Sequence, residues 1–227
     1  MWYFYGRKKK IAGTYPQPSH PVIIEPFAGS AAYSLHGENW RRRVILVERD
    51  PQLVALWRWV IQEATPSDIL NFPDPVVGDK TSHLLHILHS ASKRWWTYKN
   101  FKFTEQAMAS WRASKRYMAS CVPKVKHWQI LEGDYSVAPD VEATWFVDPP
   151  YQGDPGLGYR YGSDLIDYVA LGEWVRGRKG QVIACEGEGA SWLPFQPHLT
   201  LSGSAGKRSQ EVAYLSCPDA PGVLDLF

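Results

Sequence analysis

Trp145-Phe146-Val147-Asp148-Pro149-Pro150-Tyr151 is the stretch on which the reading of this chain turns. Its three apolar residues read as the end of a buried strand, which stops abruptly at a carboxylate, two prolines and an aromatic. One proline would end a strand, so folding alone does not ask for this combination. An Asp at the carboxyl end of a strand faces the crevice where open α/β sheets bind ligands. The paired prolines fix two φ angles and remove two backbone donors, leaving Asp148 and the nearby carbonyls as a rigid, acceptor-only cluster. Tyr151 adds a flat face beside it. Such a site suits a planar substrate carrying an NH2 group, although the stretch by itself also reads as a strand-ending turn.

Upstream, Pro16, Pro18 and Pro21 form an extended lead into Val22-Ile23-Ile24, a short buried strand. It runs into Glu25-Pro26-Phe27-Ala28-Gly29-Ser30-Ala31-Ala32-Tyr33, a small-residue turn, and the spacing predicts a helix start at Ser34-Leu35. Small residues allow close approach of the backbone to a ligand, and a helix amino terminus offers free N–H groups. The turn is neither a GxGxxG fingerprint nor a P-loop. The strand Val44–Val47 ends in Glu48, nineteen residues after Gly29. An acid there, about 20 residues past the turn, is placed to accept from ribose hydroxyls. Asp50-Pro51 reads as an N-cap and first-turn proline, with Leu53, Trp57, Val60 and Ile61 on one apolar stripe.

Downstream of the quoted stretch, residues 152–162 are glycine-rich and read as a mobile loop. A helix over 164–177 and strands at Val182–Cys185 and Val212–Leu215 follow. Before it, Gln129–Glu132 forms a strand leading into Gly133-Asp134-Tyr135. The alternation predicts an α/β fold, a Rossmann-like sheet with helices on both faces. Residues 1–75 and 130–227 make the core, and 76–129 a mainly helical insertion with helices over 82–94 and 104–120. His83, His86 and His89 recur there without matching Cys or acids, so packing is the better reading than metal binding.

Bulk properties narrow the class. The 227 residues have an ordinary globular composition, with no transmembrane-length apolar run and no signal-like start. Cys121, Cys185 and Cys217 suggest neither a disulfide framework nor a zinc site and fit a cytoplasmic protein. Net charge is only +2, but its distribution is uneven. Lys93, Arg94, Lys99, Lys102, Arg112, Lys115, Arg116, Lys124 and Lys126 face a single acid, Glu105, among interleaved aromatics. That is a polyanion footprint, or else a solvated helical face. Aromatics also precede a basic run at Arg7-Lys8-Lys9-Lys10.

Taken together, these motifs resemble the S-adenosylmethionine-dependent DNA adenine N6-methyltransferases of the Dam-like group, over nearly the whole chain except the insertion. The resemblance implies that Tyr5, Gly6 and Lys8 contact the methionine part of the cofactor. It implies that Glu25, Pro26, Phe27 and Gly29 form the cofactor motif, that Glu48 holds the ribose and that Asp134 contacts the adenine ring. Asp148, Pro149, Pro150 and Tyr151 would receive the target base, flipped out of duplex DNA. Lys207 and Arg208 resemble a basic loop near that base, and the basic residues from Lys93 to Arg116 would meet DNA. The pattern departs at Ala31, where the group has glycine; alanine allows close approach at negative φ and is strained at positive φ. N4-cytosine or an amide nitrogen shares this chemistry, and a nucleic-acid-binding module without catalysis is the reading from another class. Restriction protection and phage evasion are both compatible with it.

Overall fold

The computed structural model describes residues 8–74, 105–202 and 208–216. Tyr5, Gly6, the stretch 82–94 where a helix with three histidines is expected, Lys93, Arg94, Lys99, Lys102, Lys207 and Cys217 lie outside the described residues. The protein is α/β, with a seven-stranded mixed sheet. Its strands are β1 (Val22–Glu25), β2 (Arg43–Glu48), β3 (Gln129–Glu132), β4 (Ala143–Val147), β5 (Gly180–Gly187), β6 (Gln196–Ser202) and β7 (Arg208–Ser216). They run in the order β3-β2-β1-β4-β5-β7-β6. The first five are parallel, and β7 is antiparallel to both β5 and β6.

The central strands are apolar on both faces because both faces are covered. Ile23, Val44, Leu46, Phe146 and Ile183 point to one side and pack with Leu53, Trp57 and Val60 of α1 (Pro51–Gln62). Trp111, Met118, Val122 and Val125 of α3 (Glu105–Val125) join that cluster, with α2 (Pro66–Asn71) beside them. Ile24, Ile45, Trp145, Val147 and Val182 point to the other side, against Leu171 and Val175 of α4 (Tyr168–Arg176). Trp111 is fully buried and its indole N–H donates to Asp74 at 2.8 Å, so α3 is anchored at both its core face and its flank. Among the described residues, no helix is long and apolar enough to cross a membrane.

Several elements differ from the sequence expectation. No helix follows the small-residue turn; there is one turn, closed by Leu35 N–H donating to the Ala31 carbonyl. The Asn39 amide donates to the Tyr33 carbonyl, and Gly37 turns the chain at φ +52°, so helix propagation stops. The expected 164–177 helix begins at Tyr168, because Asp167 accepts from Val169 and Ala170 N–H as its N-cap; a 3-10 turn precedes it. The helix expected over 104–120 runs on to Val125, and the last strand starts at Arg208 rather than Val212. Strand β6 was not foreseen, because Pro197 lies within it. It is an edge strand with a register shift between Pro197 and Leu199, a position that tolerates a missing N–H.

Candidate active site

β1 and β4 are neighbours in the sheet, and the strand order reverses between them: β2 and β3 lie on one side, β5 on the other. At such a switch point the connections leave in opposite directions and a crevice opens past the carboxyl ends. Here a cleft of about 330 Å³ opens there. Its walls carry the Glu25–Ala32 turn after β1, Glu48–Asp50 after β2, Gly133–Tyr135 after β3, and Asp148 and Pro150 after β4. Lys8 closes one end, and Tyr159, Arg160 and Tyr161 of the glycine-rich loop close another.

The turn after β1 is built by its neighbours. Glu48 accepts from Gly29 N–H at 3.0 Å and from Asp50 N–H at 2.9 Å, tying the turn to the start of α1. Trp57 donates its indole N–H to the Gly29 carbonyl at 3.0 Å from beneath. The turn needs left-handed backbone at Gly29, φ +46°, and again at Ala31, φ +49°. Ala31 is the only non-glycine residue with positive φ among those described, so the departure from glycine noted in the sequence carries real strain. The Glu25 carboxylate is buried and accepts from Ser34 N–H at 2.8 Å. Burial lifts both Glu25 and Glu48 to about 7, against the backbone hydrogen bonds that favour their charged forms.

Asp134 behaves in the opposite way. It caps a 3-10 turn, accepting from Ser136 Oγ at 2.6 Å and Ser136 N–H at 2.9 Å. These bonds hold its carboxyl below the usual range, so it stays ionised at the cleft wall.

At the carboxyl end of β4, Asp148 pairs with Lys8, Nζ to Oδ1 at 2.7 Å. Burial raises the Asp148 carboxyl to about 6, and the Lys8 charge opposes that rise. Lys8 also lies 3.5 Å from Glu211 Oε1 on β7 and 4.5 Å above the Tyr151 ring. Tyr151 does not line the cleft: its phenol donates to Glu211, and Tyr15 donates to the same oxygen at 2.8 Å. Pro149 likewise does not line the cleft, and the Pro150 carbonyl accepts from the Tyr168 phenol. The glycine-rich loop is packed rather than loose at Gly156, where an added Cβ would stand 2.0 Å from the Tyr151 carbonyl oxygen. Arg160 reaches across to Asp50 at 3.2 Å and Gln52 at 2.9 Å.

Of the residues singled out in the sequence, Lys8, Glu25, Pro26, Phe27, Gly29, Glu48, Asp134, Asp148 and Pro150 converge on this one cleft. Among the described residues, the basic side chains are put to different uses. Lys115 is used in packing: it pairs with Asp74 at 2.8 Å and donates to the Leu70 and Phe72 carbonyls. Lys126 caps the end of α1 through the Val60 and Ala64 carbonyls. Arg112 pairs with Asp74 at 3.1 Å, whereas Arg116 and Arg208 are exposed.

Sequence reasoning missed Tyr15, Glu211, Arg160 and Asp50 as site-builders. Glu211 had a signal: it shares the inward phase of β7 with the core residue Ala213, and a lone acid on that phase is out of place in a simple core strand. Among the described residues, no cluster of three or more His, Cys, Asp or Glu is arranged to hold a metal ion. No family model matches the chain, and no curated protein matches it.

Proposed function

We propose that this protein transfers a methyl group from S-adenosylmethionine to the exocyclic N6 of adenine in duplex DNA. The observation that carries the reading is the meeting, in one switch-point cleft, of Asp148 and Pro150 with the Glu25–Gly29 turn and Glu48. The first five strands follow the order of a doubly wound sheet, which supports a Rossmann-like methyltransferase core. In this reading residues 76–129 are the target-recognition insertion, contacting DNA through basic residues other than Lys115 and Lys126, which serve packing.

The donor set fits the cofactor. Glu25, Glu48, Asp134 and Asp148 line the cleft as acceptors, which suits a ligand that is cationic and rich in hydroxyl and amino donors. Glu48, at the end of β2 and hydrogen-bonded to Gly29, is placed for ribose hydroxyls, and Asp134 for the adenine amino group. Phe27 and Tyr135, with ring centroids 5.9 Å apart, add apolar faces. When bound, S-adenosylmethionine supplies an electrophilic methyl group on a sulfonium.

The chain's own residues do the rest. The amino nitrogen of adenine is a weak nucleophile, because its lone pair is delocalised into the ring. Asp148 accepts one amino hydrogen and the Pro149 carbonyl the other, drawing the nitrogen toward tetrahedral geometry so that its lone pair projects away from the ring. Positioning and fixed charges then lower the barrier, since once the amino group is seated the acceptors need no further reorganisation. After transfer, Asp148 takes the proton that the nitrogen sheds. Asp148 acts as an anion, so kcat/KM loses activity as pH falls through about 6, the value to which burial lifts it.

The test is incubation of the purified protein with labelled S-adenosylmethionine and duplex DNA, with mass spectrometry of the nucleosides released. N6-methyladenine is expected, and Asp148→Ala abolishes it while calorimetric binding of S-adenosylmethionine persists. Undiminished transfer by that variant sinks the assignment, and methylated cytosine redirects it to N4.

A further inference from the structure

We propose that Glu211 is a positioning residue for the transfer: it takes up the Lys8 ammonium when the substrate's amino group takes Asp148. The inference rests on the functional reading above. Lys8 Nζ stands 2.7 Å from Asp148 Oδ1, with only 6 % of its side chain exposed. The seat that an incoming NH2 group requires is therefore filled by an amine of the chain itself. Asp148 becomes available only if that ammonium moves.

Among the described residues, Glu211 is the second carboxylate that pairs with Lys8. Nζ is already 3.5 Å from Glu211 Oε1, so a shift on the order of an ångström brings it into charge-assisted hydrogen bonding with this carboxylate. A carboxylate has about four lone-pair sites. Both phenols, of Tyr15 and Tyr151, donate to Oε1 and fix the orientation of Glu211, so the open lone pairs that receive the ammonium are those of Oε2. The Tyr151 ring lies 4.5 Å below Nζ, so the ammonium stays over an aromatic face as it shifts. Without Glu211, uncovering Asp148 would take from the buried Lys8 cation both of the carboxylates that pair with it, which is strongly unfavourable.

The charge state fits a movable plug. Burial alone would lower the Lys8 pKa, but the Asp148 and Glu211 carboxylates hold it well above the ordinary range. The nitrogen therefore carries no lone pair and occupies the seat without competing as a methyl acceptor. β7 supplies this group from outside the motifs that mark the cleft: Glu211 lies opposite Gly187 of β5, and the phenol from the residue after Pro150 reaches it.

The experiment is a double-mutant cycle on the full chain, reading methyl transfer to duplex DNA for wild type, Glu211→Gln, Lys8→Met and the double variant. Glutamine keeps an oxygen for the phenols and removes the charge. Glu211→Gln is expected to lower kcat/KM for DNA roughly tenfold, within the coupling range of contacting residues, with the Kd for S-adenosylmethionine unchanged. In the Lys8→Met background the same change costs less than about twofold, because no ammonium remains to be moved. Lys8→Met alone shifts the acid limb of kcat/KM to higher pH, since Lys8 is what opposes the burial of Asp148. Additive losses, or a Glu211→Gln variant equal to wild type, overturn the inference. Thermal melts establish that each variant is folded. If Glu211→Gln is not, Glu211→Asp, which keeps the charge one methylene farther away, replaces it in the cycle with the same criterion. No transfer by the wild type overturns the functional reading and this inference together; transfer with additive losses overturns this one alone.

Discussion

Glu48→Gln separates a carboxylate poised for a ligand from one that only ties a loop. In the free protein its two oxygens accept from the Gly29 and Asp50 N–H groups at 3.0 and 2.9 Å. Burial still lifts its carboxyl from 4.5 to about 7. The native state thus binds this proton more tightly than the unfolded chain does. The stabilisation is complete below about 4.5 and is lost as pH rises toward 7. At about 1.4 kcal/mol per pH unit, a shift of this size is worth about 3 kcal/mol. Glutamine has no charge to desolvate. It keeps one backbone hydrogen bond through Oε1 and turns its NH2 toward the other N–H, at a cost of about 1–3 kcal/mol. The variant is therefore less stable than wild type near pH 5, and the gap closes by about 3 kcal/mol, or reverses, by about pH 8. Urea denaturation followed by Trp fluorescence at the two pH values measures it. A gap that stays constant or widens with pH would refute the reasoning, because the Glu48 charge would then be comfortable in the free cleft.

Other perturbations test the frame around that cleft. Ala31→Gly relieves about 1–2 kcal/mol of left-handed strain, offset by about 0.5–1 kcal/mol of glycine entropy and about 0.8 kcal/mol for a buried methyl. Its melting temperature is expected to stay within a few degrees of wild type, whereas Ala31→Val, branched at the same φ, loses about 2 kcal/mol or more. Gly156→Ala drives a methyl into the Tyr151 carbonyl and displaces the loop behind the acceptor cluster; a loss of about 2 kcal/mol or more is expected in denaturation, and an unchanged midpoint would mean the loop yields freely. Arg160→Ala breaks a half-exposed tie to Asp50, so stability changes by less than about 1 kcal/mol while calorimetry finds weaker binding of S-adenosylmethionine. Equal affinity would remove Arg160 from the cleft's closure.

The parts of the site that lie near each other along the chain were legible, and the parts joined across it were not. Each parallel strand announces its end by an acid after an apolar run, as at Glu25, Glu48 and Asp148, because the strand interior is buried on both faces and its end is not. Strand-end acids and the spacing from Gly29 to Glu48 therefore located the cleft. Glu211 meets Tyr15 across 196 positions, and nothing local to either residue encodes that partnership. Pro197 hid β6, since the sequence does not say that the strand lies at the sheet edge. The helix expected after Tyr33 fails at its carbonyls: the Asn39 amide donates to the Tyr33 oxygen that a helix would have offered four residues on, and Gly37 turns the chain at φ +52°.

The electrostatics of the cleft also bear on why it should be read as a ligand site rather than a packed interior. A protein interior avoids carboxylates, yet the buried Glu25 and the half-buried Glu48 and Asp148 gather here with values lifted to about 7, 7 and 6. Three upward shifts mean that the free protein gives up stability as it passes from acid to neutral pH, a poor arrangement for a purely structural core. The arrangement becomes favourable once a cation and hydroxyl donors enter, because they stabilise the ionised carboxylates and restore what burial removed. Strained charge of this kind clusters at functional sites. Binding of S-adenosylmethionine should then release protons near neutrality, and its thermal stabilisation of the protein should grow from about pH 5 to about pH 8. Stabilisation that shrinks over that interval would show that the ligand leaves these carboxylates protonated, and the acceptor role assigned to Glu48 would fall with it.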